Sequence, residues 1–237
     1  MSEQAFSRTE QLLGAEALSR LANVRVAVFG IGGVGGYAAE ALARSGVGAL
    51  DLVDNDTVSV TNLNRQIVAL HSTLGQYKVD VMKARMADIS PQTTVTTHRL
   101  FFLPENADVF DFSVYDYVVD AVDTVSAKLA IIEKAVEKSV PVISCMGTGN
   151  KLDPTALTVT DIAKTNGCPL ARVMRRELRA RGISHVPVVF SNEPPHRATI
   201  AEQDPLSGKV PPASAVFVPA TAGLLLARQV VSELCKE

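Results

Sequence analysis

The run from Val24 to Arg44 constrains this chain more than any other. Val24, Val26, Val28 and Phe29 read as a buried strand, and Gly30-Ile31-Gly32-Gly33-Val34-Gly35 follows at once. The Ala-rich stretch from Val34 to Arg44 then reads as a helix. A strand entering a helix through GxGxxG opens a dinucleotide-binding unit. Its glycines permit a tight turn and let the backbone approach phosphates at the helix N-terminus. Asp54 ends the next apolar strand (Leu50, Leu52, Val53), close to the ~20-residue offset at which a carboxylate takes two ribose hydroxyls.

Further on, strand-like and helical stretches alternate, as a mostly parallel sheet requires. Helices are expected over Val79–Ile89, Val125–Lys138 (Lys and Glu on its polar face) and Pro169–Arg181. Strands are expected over Thr93–Thr97, Tyr117–Ala121, Pro141–Met146, Leu157–Asp161 and Val186–Phe190. Gly147-Thr148-Gly149-Asn150 reads as a loop, and 191–212, with five prolines, as a mobile one. Ser214–Val218 and a Pro219-initiated helix, Ala220–Leu234, close the chain. The expected fold is α/β: a doubly wound, mostly parallel Rossmann-like sheet with a C-terminal antiparallel extension. One domain spans 1–237, with a nucleotide core over about 20–150 and a substrate-side elaboration over about 151–237.

Composition narrows the class. With 47% hydrophobic residues in 237, the chain can bury a full core, and its net charge of −2 makes the surface as a whole no nucleic-acid magnet. Met1–Glu10 is polar, with no apolar signal segment. Ala215–Val231 is broken by Pro219 and Arg228 and falls short of the ~20 residues a membrane span needs. Three cysteines without a CxxC pair and four histidines without ligand spacing imply a reducing, cytoplasmic setting with no disulfide, zinc or membrane partner.

After Asp54 the chain leaves the dehydrogenase pattern. It runs through Asp56 into Thr61-Asn62-Leu63-Asn64-Arg65-Gln66, then Gly75-Gln76-Tyr77-Lys78. Cations at Arg65 and Lys78 beside a nucleotide loop suit a triphosphate under attack better than a nicotinamide ring. Together the Gly30–Gly35 loop, Asp54-Asn55-Asp56, the Asn-Leu-Asn-Arg-Gln run and Lys78 resemble the ubiquitin-activating-like (ThiF/MoeB/HesA) adenylyltransferases. Asp153-Pro154-Thr155, Asp161–Thr165 and Pro169-Leu170-Ala171 resemble one branch, the tRNA threonylcarbamoyladenosine dehydratases. The resemblance implies ATP and Mg²⁺ as cofactors, a homodimer, and adenylation of a carboxylate. In that branch the carboxylate is the threonyl group of threonylcarbamoyladenosine in tRNA, and the activated acyl group then cyclises with net dehydration. A sulfur-relay protein partner accompanies some members. The rival readings are adenylation of a sulfur-carrier protein's C-terminal Gly-Gly, a nucleotide-binding protein without turnover, and an NAD(P) oxidoreductase.

Individual residues carry two readings each. By the resemblance, Asp123 after the fourth strand is the metal-binding and catalytic aspartate; the plain alternative is a helix N-cap. Gly30, Gly32, Gly33, Gly35, Asp54, Asp56, Asn62, Arg65 and Lys78 form the expected nucleotide site, whereas Gln66 stays open between ligand and loop amide. Arg8 matches the position from which the family's arginine reaches a neighbouring subunit's ATP site; ordinary surface charge is the alternative. Between Lys164 and Arg197 seven Lys or Arg face two acidic residues, a local +5. Arg172, Arg176 and Arg179 share a helical face beside Arg175, as tRNA phosphates would need, although a solvated face or an acidic carrier protein also fits. Cys168, just before that helix, could be a reactive thiol or a plain structural one.

Overall fold

The computed structural model describes residues 5–196 and 211–236. Two short helices come first, α1 (Ser7–Leu13) and α2 (Ala15–Ala22), divided by Gly14 at φ +88°. Neither is apparent from the amino-acid pattern, because α1 buries none of its residues and α2 only Ala17 and Leu21.

The strands are β1 (Arg25–Phe29), β2 (Ala49–Val53), β3 (Thr94–His98), β4 (Tyr117–Asp120), β5 (Val142–Cys145), β6 (Leu157–Asp161) and β7 (Pro187–Ser191). They form one seven-stranded sheet in the order β3-β2-β1-β4-β5-β7-β6. Every neighbouring pair is parallel except β6–β7, which is antiparallel. That pair is the C-terminal extension expected from sequence. Strand order reverses direction between β1 and β4, where Phe29 lies beside Asp120. In an open α/β sheet this switch point leaves a crevice beyond the carboxyl ends of the strands.

Helices α3 (Gly35–Arg44), α4 (Lys78–Ile89), α5 (Val125–Glu137), α6 (Pro169–Ala180) and α7 (Phe217–Leu234) complete the described elements. Alternate residues of the central strands feed two apolar cores. One joins Val28, Leu50 and Leu52 to Leu42 of α3, Met82 of α4 and Leu226 of α7. The other joins Phe29 to Ile131 of α5, Met174 of α6 and the aromatics Phe102, Phe110 and Phe112. Phe29 stacks on Phe112 at 5.6 Å between ring centroids. α7 lies so close to α3 that a Cβ on Gly223 would come within 2.3 Å of the Val34 carbonyl oxygen.

Three expectations need correction. α7 begins at Phe217, so Pro219 sits inside its first turn, where its missing N–H costs nothing. In the 191–212 stretch Ser191 ends β7, and 197–210 lies outside the described residues. Lys128 is not on a polar face of α5; it is fully buried. Among the described residues no helix is long and apolar enough to cross a membrane.

Candidate active site

A cleft of about 320 Å³ opens beyond the ends of β1, β2 and β4. Its floor is the glycine loop. Gly30 adopts φ +87°, and a Cβ there would come 2.7 Å from the Ala121 carbonyl oxygen. A Cβ on Gly35 would sit 1.7 Å from the Gly30 carbonyl oxygen, so any side chain would push α3 off the turn. Gly32 and Gly33 have no such crowding and line the cleft. Two of the four glycines therefore close the turn, and two leave room for a ligand.

Asp54 braces this loop. Its Oδ2 accepts from the Ile31 N–H at 2.7 Å and its Oδ1 from the Asp56 N–H at 2.8 Å. Burial holds its carboxyl above the ordinary carboxylate value, against the pull of Lys78 and of both N–H groups. A single bridge between Thr57 and Tyr77 brings the next two charges together. Lys78 opens α4, and its Nζ lies 2.7 Å from Asp56 Oδ2, with side-chain exposures of 6% and 57%.

The Asn-Leu-Asn-Arg-Gln run forms the side wall. Arg65 is half-buried and donates to the Thr61 carbonyl and to Asn64 Oδ1, both at 2.9 Å. Asn64 in turn donates to the Ser214 carbonyl at 2.8 Å. Asn62, expected as a ligand, has its Oδ1 taken by the Ser59 N–H at 3.1 Å, which leaves its Nδ2 without a partner among the described residues. Gln66 is the reverse case: it is 7% exposed, it lines the cleft, and its enclosed Oε1 has no hydrogen-bond partner among the described residues.

The opposite wall is apolar. Leu100, Phe101 and Phe102, just past β3, line the cleft, and Phe101 is half exposed. Sequence reasoning missed this wall. A pair of aromatics directly after a strand at the carboxyl edge was the available signal, since a flat base needs such a surface.

Asp123 also lines the cleft, exposed and without a hydrogen-bond partner among the described residues. The N-cap of α5 is Thr124, and no side chain caps it, so the capping alternative for Asp123 finds no contact. Beneath lies a buried network that sequence reasoning also missed. Lys128 Nζ lies 2.9 Å from Asp120 Oδ2, both side chains having zero exposure, and it donates to the Val122 carbonyl at 2.9 Å. Ser144 Oγ donates to the same Asp120 oxygen at 2.5 Å, and the Val122 N–H donates to Oδ1 at 3.2 Å. These bonds fix the Ala121–Val122 backbone that presents Asp123. A carboxylate ending an otherwise apolar strand was the signal, because such a charge requires a buried partner.

The cleft brings together the glycine loop, the cations of Arg65 and Lys78, the braced carboxylate of Asp54 and the carboxylate of Asp123, which has no partner among the described residues. Among the described residues no three His, Cys, Asp or Glu side chains cluster to hold a metal. A lone carboxylate fits Mg²⁺ where phosphate oxygens and water supply the remaining ligands.

The remaining candidates lie elsewhere. Arg8 stands exposed on α1 and is not among the residues lining the cleft. Arg172, Arg176 and Arg179 are exposed on α6. Arg175 corrects the expectation: its guanidinium turns inward to the Thr165 carbonyl at 2.7 Å and hydroxyl at 2.5 Å, anchoring α6 to the preceding turn. Arg176 pairs with Glu177 at 2.6 Å. Cys168 is the buried N-cap residue of α6. Cys145 is core, its thiol pushed up to about 12 by burial, and so inert.

Comparison with known proteins agrees with this geometry. The sequence pattern of the ThiF family matches residues 6–235. A Bacillus subtilis tRNA threonylcarbamoyladenosine dehydratase is 46% identical over 241 residues, covering 98% of this chain and 95% of that one. The crystal structure of Escherichia coli tRNA N6-threonylcarbamoyladenosine dehydratase in complex with ATP superimposes with a TM-score of 0.87 at 37% identity, covering 98% of this chain and 93% of the other. The AMP complex of the same enzyme gives 0.88 at 37% identity, covering 98% and 94%.

Proposed function

The chain belongs to the ThiF family, and on that premise we propose that it is an ATP-dependent tRNA threonylcarbamoyladenosine dehydratase. The observation that carries this reading is 46% identity to such a dehydratase over nearly the whole of both chains, joined to a glycine-floored cleft at the sheet's switch point.

The reaction has two halves. A threonyl carboxylate oxygen attacks the α-phosphorus of ATP, and the bond to pyrophosphate breaks. A nucleophile within the same modified base then attacks the acyl carbon, giving up its proton as AMP leaves. The net change is loss of one water from the nucleoside. The N–H groups at the start of α3 hold the phosphates. Arg65 and Lys78 stabilise charge on the departing pyrophosphate, for which Lys78 exchanges Asp56 and Arg65 leaves its own loop. Asp54 is at hand for the ribose and the Leu100–Phe102 wall for the base. Asp123 would hold Mg²⁺, which would supply neutralisation of phosphate charge.

Several features extend the proposal. The protein acts in the cytoplasm as a homodimer in which Arg8 reaches its partner's cleft; its exposed position on a helix that buries nothing supports this. Arg172, Arg176 and Arg179 contact tRNA phosphates, and a sulfur-relay protein is a candidate accessory partner. Cys168, buried at a helix N-cap, has a structural role. The test is nucleoside mass spectrometry of tRNA incubated with the protein and ATP. The expected result is conversion of threonylcarbamoyladenosine to a product lighter by one water. Adenylation of a carrier-protein C-terminus with no change in tRNA would replace this reading by the carrier-protein one.

A further inference from the structure

One asparagine of the side wall joins Arg65 to the segment that leads into α7, and we propose that Asn64 is the positioning residue that recaptures Arg65 once pyrophosphate has left. This rests on the reading of the cleft as an ATP site in which Arg65 meets the outer phosphates.

The orientation of the Asn64 amide is dictated by its neighbours. A carbonyl oxygen only accepts, so the Ser214 carbonyl has to face Nδ2, which it does at 2.8 Å. That turns Oδ1 toward Arg65, whose Nη1 donates to it at 2.9 Å. Ser214 is itself held. Ala213, one residue earlier, donates its N–H to Asn150 Oδ1 at 2.8 Å, and its carbonyl accepts from the Asn150 N–H at 2.7 Å. Asn150 stands in the loop after β5, two residues beyond Thr148, which lines the cleft together with Ser214. The acceptor offered to Arg65 is thus fixed by a carbonyl 150 residues away in sequence.

Arg65 can leave that acceptor without disturbing the fold. Its N–H donates to the Asn62 carbonyl at 3.1 Å, so the backbone is tied independently of the side chain. A Cβ on Gly33 would lie 3.5 Å from Arg65 Cγ, so the stem rests against the glycine loop and only the guanidinium has to turn. The amide is neutral, and a charged phosphate oxygen is the stronger acceptor for a guanidinium. Outer phosphates therefore draw Arg65 off Asn64. With AMP alone in the cleft, nothing competes and the amide takes the guanidinium back. Asn64 so makes Arg65 an exchangeable ligand, which favours departure of the pyrophosphate.

The test is equilibrium binding of Mg·ATP, pyrophosphate and AMP to the full-length protein and to its Asn64→Ala, Asn64→Asp and Arg65→Ala variants. Asn64→Ala removes the competing acceptor and should tighten ATP and pyrophosphate by about 2- to 10-fold, the range for one hydrogen bond. Asn64→Asp supplies a charged competitor and should move both the other way. AMP lacks the phosphates that Arg65 meets, so its affinity should stay level in Asn64→Ala. In an Arg65→Ala background Asn64→Ala should change nothing, because Asn64 acts only through that arginine. Weaker ATP binding by Asn64→Ala would overturn the proposal and identify a plain brace. Equal shifts for ATP and AMP, or an effect that persists without Arg65, would overturn it too. If the parent binds no ATP, or Arg65→Ala binds it as well as the parent does, the ATP reading of the cleft fails and the proposal falls with it, so the two failures are told apart.

Discussion

Two lysine–aspartate pairs stand at the same cleft and do opposite work. Lys128–Asp120 is wholly buried, shares its oxygens with Ser144 and the Val122 N–H, and has no route to a ligand. Lys78–Asp56 is shorter still, 2.7 Å against 2.9 Å, but Asp56 is largely exposed, so under the proposed function its lysine exchanges a carboxylate for a phosphate. The first pair sets the geometry of the turn; the second is the one the proposed function uses for chemistry. The contrast recurs on α6, where Arg175 is spent on Thr165 while Arg172 and Arg179 have no charged partner among the described residues. Charge in this molecule is informative only once its partner is known.

The sharpest way to break the comparison is to remove the buried cation. Lys128→Met strands Asp120 in the core and should destabilise the protein by about 3–5 kcal/mol, seen as a lowered denaturant midpoint, with activity lost. Adding Asp120→Asn should restore much of the stability but not full turnover, because the Val122 carbonyl still lacks its donor. A Lys128→Met variant as stable as the parent would show that the pair does not organise the turn. Next comes Asp123→Asn, expected to abolish dehydration in the mass-spectrometric assay while the melting curve stays put, since Asp123 has no hydrogen-bond partner among the described residues. Retained turnover would remove Asp123 from the mechanism.

Lys78→Ala should cost about 10²–10³-fold in turnover. Its effect on stability should be far smaller than that of Lys128→Met, and similar losses in both would erase the distinction between the two pairs. For the arginines, replacing Arg172, Arg176 and Arg179 with Ala should weaken tRNA binding and flatten its dependence on salt. The slope should fall by about 0.7–0.9 for each phosphate no longer neutralised, measured by titration at several salt concentrations. An unchanged slope would mean a merely solvated face. The smallest effect belongs to Asp56→Asn. Without its partner Lys78 gains more from phosphate, so ATP should raise this variant's melting temperature by more than it raises the parent's. An equal rise would show that Asp56 is never displaced.

Much of the cleft was legible because its local patterns are short and directional. The strand–glycine–helix passage fixes the phosphate floor, and Asp54 at a strand end falls where the next chain crossing puts it. Asp56 and Lys78 were readable as charges, but not as partners, since the Thr57–Tyr77 bridge that joins them is a long-range event. Asn62 and Gln66 have the same chemistry in sequence. Which amide is spent on Ser59 and which left open depends on a capping turn of three residues. Lys128 was misread because a helical lysine defaults to the solvent face, and only packing of α5 over β4 turns it inward. Arg175 was misread for the same reason in reverse, by counting charge without its sink.

The contact between Gly223 and the Val34 carbonyl has a consequence for how the protein comes into being. α3 carries the glycine loop and is made early; α7, which presses on it and supplies Pro219 to the cleft, is made late. At ordinary translation speeds the gap is roughly 10–40 s. During that interval a nascent chain can pair its central strands, yet α3 presents a bare apolar flank and the pocket lacks a wall. Cover for that flank and the last wall of the cleft therefore arrive together, with the same late helix.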